Sequence, residues 1–265
     1  MNTPSRPRAT KIICTIGPAT DTSDMLGQLI EAGANVFRLN MSHSKHDWVR
    51  EVVFRIRRKA AELEANVAIL FDLQGPSIRT GDLAEPYHLK KGDTVEIRLG
   101  TAKPELPFST TVNYDGLLQD VQAGHTMVVD NGGILMRIAE VRPDRLICDV
   151  LTEGVFGSRR HINLPGVALR LPALTEKDLA DLAVAVECET DYVAMSFVRD
   201  AAHIAQLREH IDNLGGKAQI VAKIEDQQAV RHIDDIILAA DVIMVARGDL
   251  GIEVSIEELP IIQRR

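Results

Sequence analysis

Short apolar runs alternate with stretches of helical periodicity in two parts of the chain, before residue 74 and after residue 174. KIICTI (11–16), NVFRLNM (35–41) and VAILFDL (67–73) read as buried strands, because each is a brief, nearly continuous apolar run. The intervals between them are long enough for crossover helices. In the second interval Val49, Val52, Val53, Ile56, Ala60 and Leu63 keep helical spacing, while Arg50, Arg57 and Arg58 fall elsewhere. The rhythm resumes at Thr175, whose hydroxyl can cap a helix beginning EKDLADLAVAV. YVAMSFV (192–198), a helix using Ile204, Leu207 and Ile211, QIVAKIE (219–225), another helix and DVIMVARGD (241–249) follow. Between the two parts lie turn signals (KKGD, DNGG, RPDR) and β-type runs such as TVEIRL and RLICDVL, with little helical periodicity.

Apolar strands joined by crossover helices predict a parallel sheet, in either a doubly wound fold or a (β/α)8 barrel. Barrel chemistry sits at the C-terminal ends of the strands. Polar residues gather at those ends here: RLNMSH after the second run, DLQGPSIR after the third, KIED after the fifth and ARGDLG after the sixth. Convergence of several strand ends favours a TIM-type barrel. Only about six βα units are countable where a barrel needs eight, so the expectation is an incomplete α/β barrel with a β-rich insert.

Composition narrows the function classes. At 45% hydrophobic and 26% charged, 265 residues suffice for one or two packed domains. Thirty Lys and Arg against 38 Asp and Glu give a formal charge of −8, which argues against a general nucleic-acid or anionic-membrane binder. No run reaches the roughly 18 apolar residues of a membrane span, and the polar, basic start MNTPSRPRATK has no apolar signal-peptide core. Cys14, Cys148 and Cys188 are scattered and odd in number, which points to a reducing cytoplasm and away from disulfides or structural zinc.

Three groups of residues could carry chemistry. Lys223 and Glu225 are two apart on a strand and so project to one side. They make a structural ion pair or, with Asp249 at the next strand end between Gly248 and Gly251, part of a Mg2+ site that substrate oxygens and water complete. Arg38, Asn40 and Ser42 form a second same-side alternation. The arginine fork suits phosphate or carboxylate, and Asn40, Ser42 and Asp72 offer oxygens for a hard monovalent cation or for a plain hydrogen-bond network. Arg159 and Arg160 precede HINLPG, where they are solvated surface or part of a lid closing on phosphates. His43 and His46 have no third partner at zinc spacing, and neither GxxxxGK[ST] nor GxGxxG occurs. The RGD tripeptide at a buried strand end does not read as an adhesion motif.

CTIGPAT, NVFRLNMSH, DLQGPSIRTG, VVDNGGI, GSRRHINLPGVALRLPALTEKD, YVAMSFVR, VAKIED and DVIMVARGDLGIE stand in an order and spacing that resemble pyruvate kinase over nearly the whole chain. The resemblance implies a (β/α)8 barrel domain (1–75 and 172–265) interrupted by a small β-barrel lid domain (76–171). It implies transfer of the phosphoryl group of phosphoenolpyruvate to ADP, giving pyruvate and ATP in the last step of glycolysis, by a family that is homo-oligomeric at full length. By the same resemblance Lys223 sits beside the migrating phosphoryl group and Arg38 binds its phosphate. Glu225 and Asp249 hold Mg2+ or Mn2+, and Gly248 and Asp249 meet the substrate carboxylate. Asn40, Ser42, Asp72 and the Leu73 carbonyl look like a K+ site, and Asn40, Arg79 and Arg160 like nucleotide contacts.

Some positions depart from the family pattern. Arg160 stands where lysine is usual. Leu73 and Gln74 match the branch that dispenses with potassium, yet Ser77 is neither the glutamate of potassium-dependent members nor the lysine that replaces the cation, so monovalent-ion dependence stays open. The chain stops at PIIQRR, short of the family's last two barrel strands, a threonine-bearing segment and a regulatory domain. On that ground the isolated chain is expected to be nearly inactive. The rival readings are a Mg2+-enolate C–C lyase of the same superfamily and a non-catalytic truncated product.

Overall fold

A computed structural model describes residues 9–265. The basic start read above lies in part at residues 1–8, outside the described residues. The first part of the chain runs β1 (Ile13–Ile16), α1 (Ser23–Glu31), β2 (Val36–Asn40), α2 (His46–Glu62) and β3 (Ala68–Asp72). An insert follows: β4 (Tyr87–Leu89), β5 (Thr94–Arg98), β6 (Phe108–Thr111), α3 (Leu117–Asp120), β7 (Thr126–Val129), β8 (Ile134–Val141), β9 (Arg145–Val150), β10 (Gly154–Phe156) and β11 (Ile162–Asn163). The βα rhythm then returns with α4 (Glu176–Glu187), β12 (Tyr192–Met195), α5 (Ala201–Asn213), β13 (Gln219–Ile224), α6 (Gln227–Arg231), α7 (Ile233–Ala239), β14 (Val242–Val245), α8 (Arg247–Glu253) and α9 (Leu259–Arg264).

The six strands outside the insert form one parallel sheet, ordered β1-β2-β3-β12-β13-β14. Among the described residues the sheet is open, with β1 and β14 at its edges. Strand alternation sorts its side chains into two faces. Phe37, Leu39, Ile69, Phe71, Val193, Met195, Ile220, Ala222 and Ile224 join Leu26, Val52, Ile56, Leu182, Ile204, Leu207, Ile236 and Leu250 of the helices in one large core. Among the described residues the opposite face holds only a small apolar group, Leu70, Ala194 and Val221 with Val36, Tyr192 and Met244, and no helix contributes to it. A doubly wound sheet needs helices on both faces; here they cover one, as in a curled, barrel-like sheet.

Helix starts are written in local chemistry. Thr22 accepts from the Met25 N–H, Asp200 from that of His203 and Asp226 from that of Ala229. Thr175 and Asp178 make a reciprocal capping box at the start of α4. The other oxygen of Asp178 accepts from the Gly75 N–H at 3.0 Å, so the same cap pins the turn after β3.

The insert has its own core, built on residues such as Ile78, Val95, Ile97, Met127, Met136, Leu146 and Phe156. Its main sheet runs β11-β7-β8-β9-β5-β6, antiparallel except for the β5–β6 pair. The segment around Arg79 and Thr80 pairs with both ends of that order, bridging Arg79 to His161 and Thr80 to Val112. The short α3 is a helix that the periodicity of this stretch does not announce.

Gly75 shows how tightly the turn after β3 is seated. Its φ is +70°, and a Cβ there would lie 2.9 Å from the Phe197 ring and 3.0 Å from the Ser196 Cβ. Gly75→Ala is therefore expected to destabilise the fold by about 2–3 kcal/mol. A lowering of the thermal midpoint by roughly 5–10 °C in a circular-dichroism melt would record it. A shift under about 2 °C would mean that the turn relaxes freely.

Candidate active site

The helix-free face of the sheet turns polar at its C-terminal end. On β2 Val36 gives way to Arg38 and Asn40, on β3 Leu70 to Asp72, and on β13 Val221 to Lys223 and then Glu225. Each is a two-residue step along one face. Arg38 Nε donates to Asp72 Oδ2 at 2.6 Å, and its Nη1 donates to Oγ1 of Thr15, its register partner on β1, at 2.8 Å. The Lys223 ammonium reaches three acceptors: Ser196 Oγ at 2.7 Å, Glu225 Oε1 at 2.8 Å and Asp72 Oδ1 at 3.2 Å. The last is a charge contact only, since Asp72 Oδ1 is buried without a properly formed hydrogen bond. Glu225 Oε2 accepts the Phe197 N–H at 2.7 Å.

Burial alone would push Lys223 toward its neutral form, but the Glu225 and Asp72 carboxylates reverse that and hold its pKa above the usual lysine value. Burial drives the Glu225 carboxyl upward; Lys223 and the Phe197 N–H oppose this, and Asp249 adds to the rise. Two carboxylates thus repel one another at one spot.

Arg38, Asp72, Ser196, Phe197, Lys223 and Glu225 line a single cleft of about 330 Å³. Asn40, Ser42, Leu73 and Asp249 line it too, Arg79 and Arg160 face it from the insert, and Arg159 borders it. Arg79 is steered by its Nη1 bond to the Arg159 carbonyl at 3.1 Å, and Arg160 by Asp130 at 3.2 Å. Arg159 points outward to Asp82 and is largely exposed. With Arg159 paired outward to Asp82, the charges turned into the cleft are four cationic side chains (Arg38, Arg79, Arg160, Lys223) and four anionic ones (Asp72, Asp130, Glu225, Asp249). A chain of net charge −8 has gathered as many cationic as anionic side chains here, with the guanidinium groups of Arg38, Arg79 and Arg160 available to an anionic ligand.

Gly248 is the one candidate that does not line the cleft. It is exposed in the first turn of α8, next to Asp249. Among the described residues no cluster of three His, Cys, Asp or Glu side chains forms a metal cage. Glu225 and Asp249 nevertheless fit Mg2+, which takes one or two carboxylates and fills its other positions with water and substrate oxygens. Their mutual repulsion is what a divalent cation would relieve. The four oxygen donors read as a monovalent site share the cleft, with Asp72 Oδ1 lacking a hydrogen bond.

A family model described as "Pyruvate kinase, barrel domain" matches residues 7–265. The chain belongs to the pyruvate kinase family. It is 40% identical over 263 residues to plastidial pyruvate kinase 2 of Arabidopsis thaliana, covering 98% of this chain and 45% of that protein. It is 39% identical over 259 residues to pyruvate kinase of Mycobacterium tuberculosis (97% and 55%), and 40% over 261 residues to that of Geobacillus stearothermophilus (97% and 44%). The chain thus spans about half the length of the curated pyruvate kinases it matches.

Reading the sequence passed over several residues of this cleft. Ser196 and Phe197 follow β12, and both touch the Lys223–Glu225 pair. A signal existed: YVAMSFV is an apolar run interrupted by one serine at its strand end. Asp130 was also missed. It sits at φ 57° in the turn between β7 and β8, and only the folding of the insert carries it to Arg160.

Proposed function

We propose that the protein carrying this chain transfers the phosphoryl group of phosphoenolpyruvate to ADP, giving pyruvate and ATP. One observation supports this most: Arg38 and Lys223 of the sheet, Glu225 and Asp249 just beyond its strand ends, and Arg79 and Arg160 of the insert face one cleft. Phosphoryl transfer has a loose transition state with charge spread over the equatorial oxygens, so the protein's work is positioning and neutralisation.

In this reading Arg38, held by Asp72 and Thr15, grips the phosphate with its free N–H groups. Lys223 neutralises the phosphoryl oxygens in flight. Glu225 and Asp249 would hold Mg2+ or Mn2+, which would supply Lewis-acid stabilisation of negative charge on substrate oxygens. The backbone at Gly248 and Asp249 meets the substrate carboxylate. Asn40, Ser42, Asp72 and the Leu73 carbonyl form the monovalent site, suited to K+. Asn40, Arg79 and Arg160 bind the nucleotide phosphates from the opposite wall.

Residues 1–75 and 172–265 are read as a (β/α)8 barrel domain with six of its strands present, and 76–171 as a β-barrel lid domain. The two separate apolar cores and the bridges through Arg79 and Thr80 support that division. A homo-oligomer in the cytoplasm completes the reading. Among the described residues no helix is long and apolar enough to cross a membrane.

The rival is a Mg2+-enolate lyase, which would share the metal pair but has no use for Arg79, Arg160 or the Lys223 contact. Assaying pyruvate release from phosphoenolpyruvate with and without ADP separates them. Release that depends on ADP and is matched mole for mole by ATP is expected. Release indifferent to ADP would overturn the kinase reading.

A further inference from the structure

The Lys223 ammonium donates to Ser196 Oγ at 2.7 Å and makes charge contacts with Glu225 at 2.8 Å and Asp72 at 3.2 Å. Two of these are carboxylates whose partners must change if the cleft takes up cations and a phosphoryl group. Only the serine hydroxyl is neutral. It is also tied down, because Ser196 Oγ donates to the Leu73 carbonyl at 2.8 Å and the residue is 4% exposed. An ammonium cannot accept a hydrogen bond, so the polarity of the chain is set: Lys223 N–H to Ser196 Oγ, and Ser196 O–H to the Leu73 carbonyl. The position of the serine is itself constrained, since the turn at Gly75 packs against it with no room for a methyl group.

Sheet order gives the contact its meaning. Lys223 lies on β13 and Asp72 on β3, with β12 between them, and Ser196 directly follows β12. A lysine stem has four flexible carbons. Here it reaches across the end of a neighbouring strand, and the residue it crosses supplies its shortest bond.

We infer that Ser196 is a positioning residue for Lys223, fixing its ammonium over the end of β12 whatever ions the two carboxylates hold. This rests on the phosphoryl-transfer reading above. It adds a link between the lysine and the Leu73 carbonyl, so that the lysine and the proposed monovalent site share one hydrogen-bonded segment.

The test is a double-mutant cycle in the active protein that carries this chain, joined to a crystal structure of the Ser196→Ala variant. Ser196→Ala is expected to lower kcat by roughly 10–100-fold, the scale of a misplaced catalytic group, with KM for phosphoenolpyruvate changed less than about threefold. In a Lys223→Met background the same substitution is expected to cost less than about twofold, because its effect passes through the lysine. Ser196→Cys keeps the side-chain size with a weaker acceptor and is expected to fall between serine and alanine; it serves if the alanine variant folds poorly. In the crystal structure the Lys223 ammonium is expected to move by more than about 1 Å, a displacement of the kind that misaligns catalytic groups. An unmoved ammonium, or losses that add in the double variant, would overturn the inference and leave Ser196 a packing residue. Normal turnover in Lys223→Met would instead overturn the phosphoryl-transfer reading, so the two failures are distinguishable.

Discussion

Lys223→Met is expected to lower the rate of phosphoryl transfer by about 10²–10³-fold, the cost of removing one preorganised charge contact from a transition state. Methionine keeps most of the stem volume and cannot donate, so the loss isolates the ammonium. Binding of Mg2+ or Mn2+ should largely survive, because the lysine is a neighbour of Glu225 and not a metal ligand. Stability should fall as well. Glu225 Oε1 loses the cation 2.8 Å away and Asp72 Oδ1 the one at 3.2 Å, inside a nearly closed environment. Rates must therefore be compared well below the melting temperature of the variant. A loss smaller than tenfold on the folded protein would remove Lys223 from this role.

Glu225→Gln and Asp249→Asn should each weaken Mn2+ binding by at least the roughly 10–100-fold that outer-sphere substitutions cost, because each replaces an anionic ligand by a neutral one. Titration of Mn2+ against water proton relaxation measures this without turnover. The two variants should differ in their side effects. Glu225→Gln keeps an oxygen for the Phe197 N–H but deprives Lys223 of a charged partner, whereas Asp249→Asn relieves a like charge near Glu225. Asp249→Asn is therefore expected to be the milder change for folding. Unchanged Mn2+ affinity in both variants would place the metal elsewhere.

Much of this site was legible because its parts are local. A strand turns every second side chain to the same side, so Arg38 with Asn40 and Lys223 with Glu225 declared themselves as pairs from spacing alone. Buried apolar runs, helical periodicity and the Thr175 cap likewise announced the six βα units, since each is decided within one or two turns of chain. What those units and motifs jointly resembled pointed to the family, which the match over residues 7–265 bears out.

Other features depended on elements distant in sequence. Ser196 looked like a lone hydroxyl in an apolar run until β12 was found between β3 and β13, where it lies under the lysine stem. Asp72 became the shared counter-ion of Arg38 and Lys223 only through the curl of a sheet whose helices cover one face. Arg79, Arg160 and Asp130 belong to an insert whose strands carry no charge pattern of their own, and the pairing of Arg79 with His161 and of β7 with β8 turns them toward the cleft. By itself, the sequence determined which side chains share a face of each strand, because that depends on backbone geometry over two residues. Only the tertiary structure decided which faces meet, because that depends on strand order, sheet curvature and contacts between residues more than a hundred positions apart.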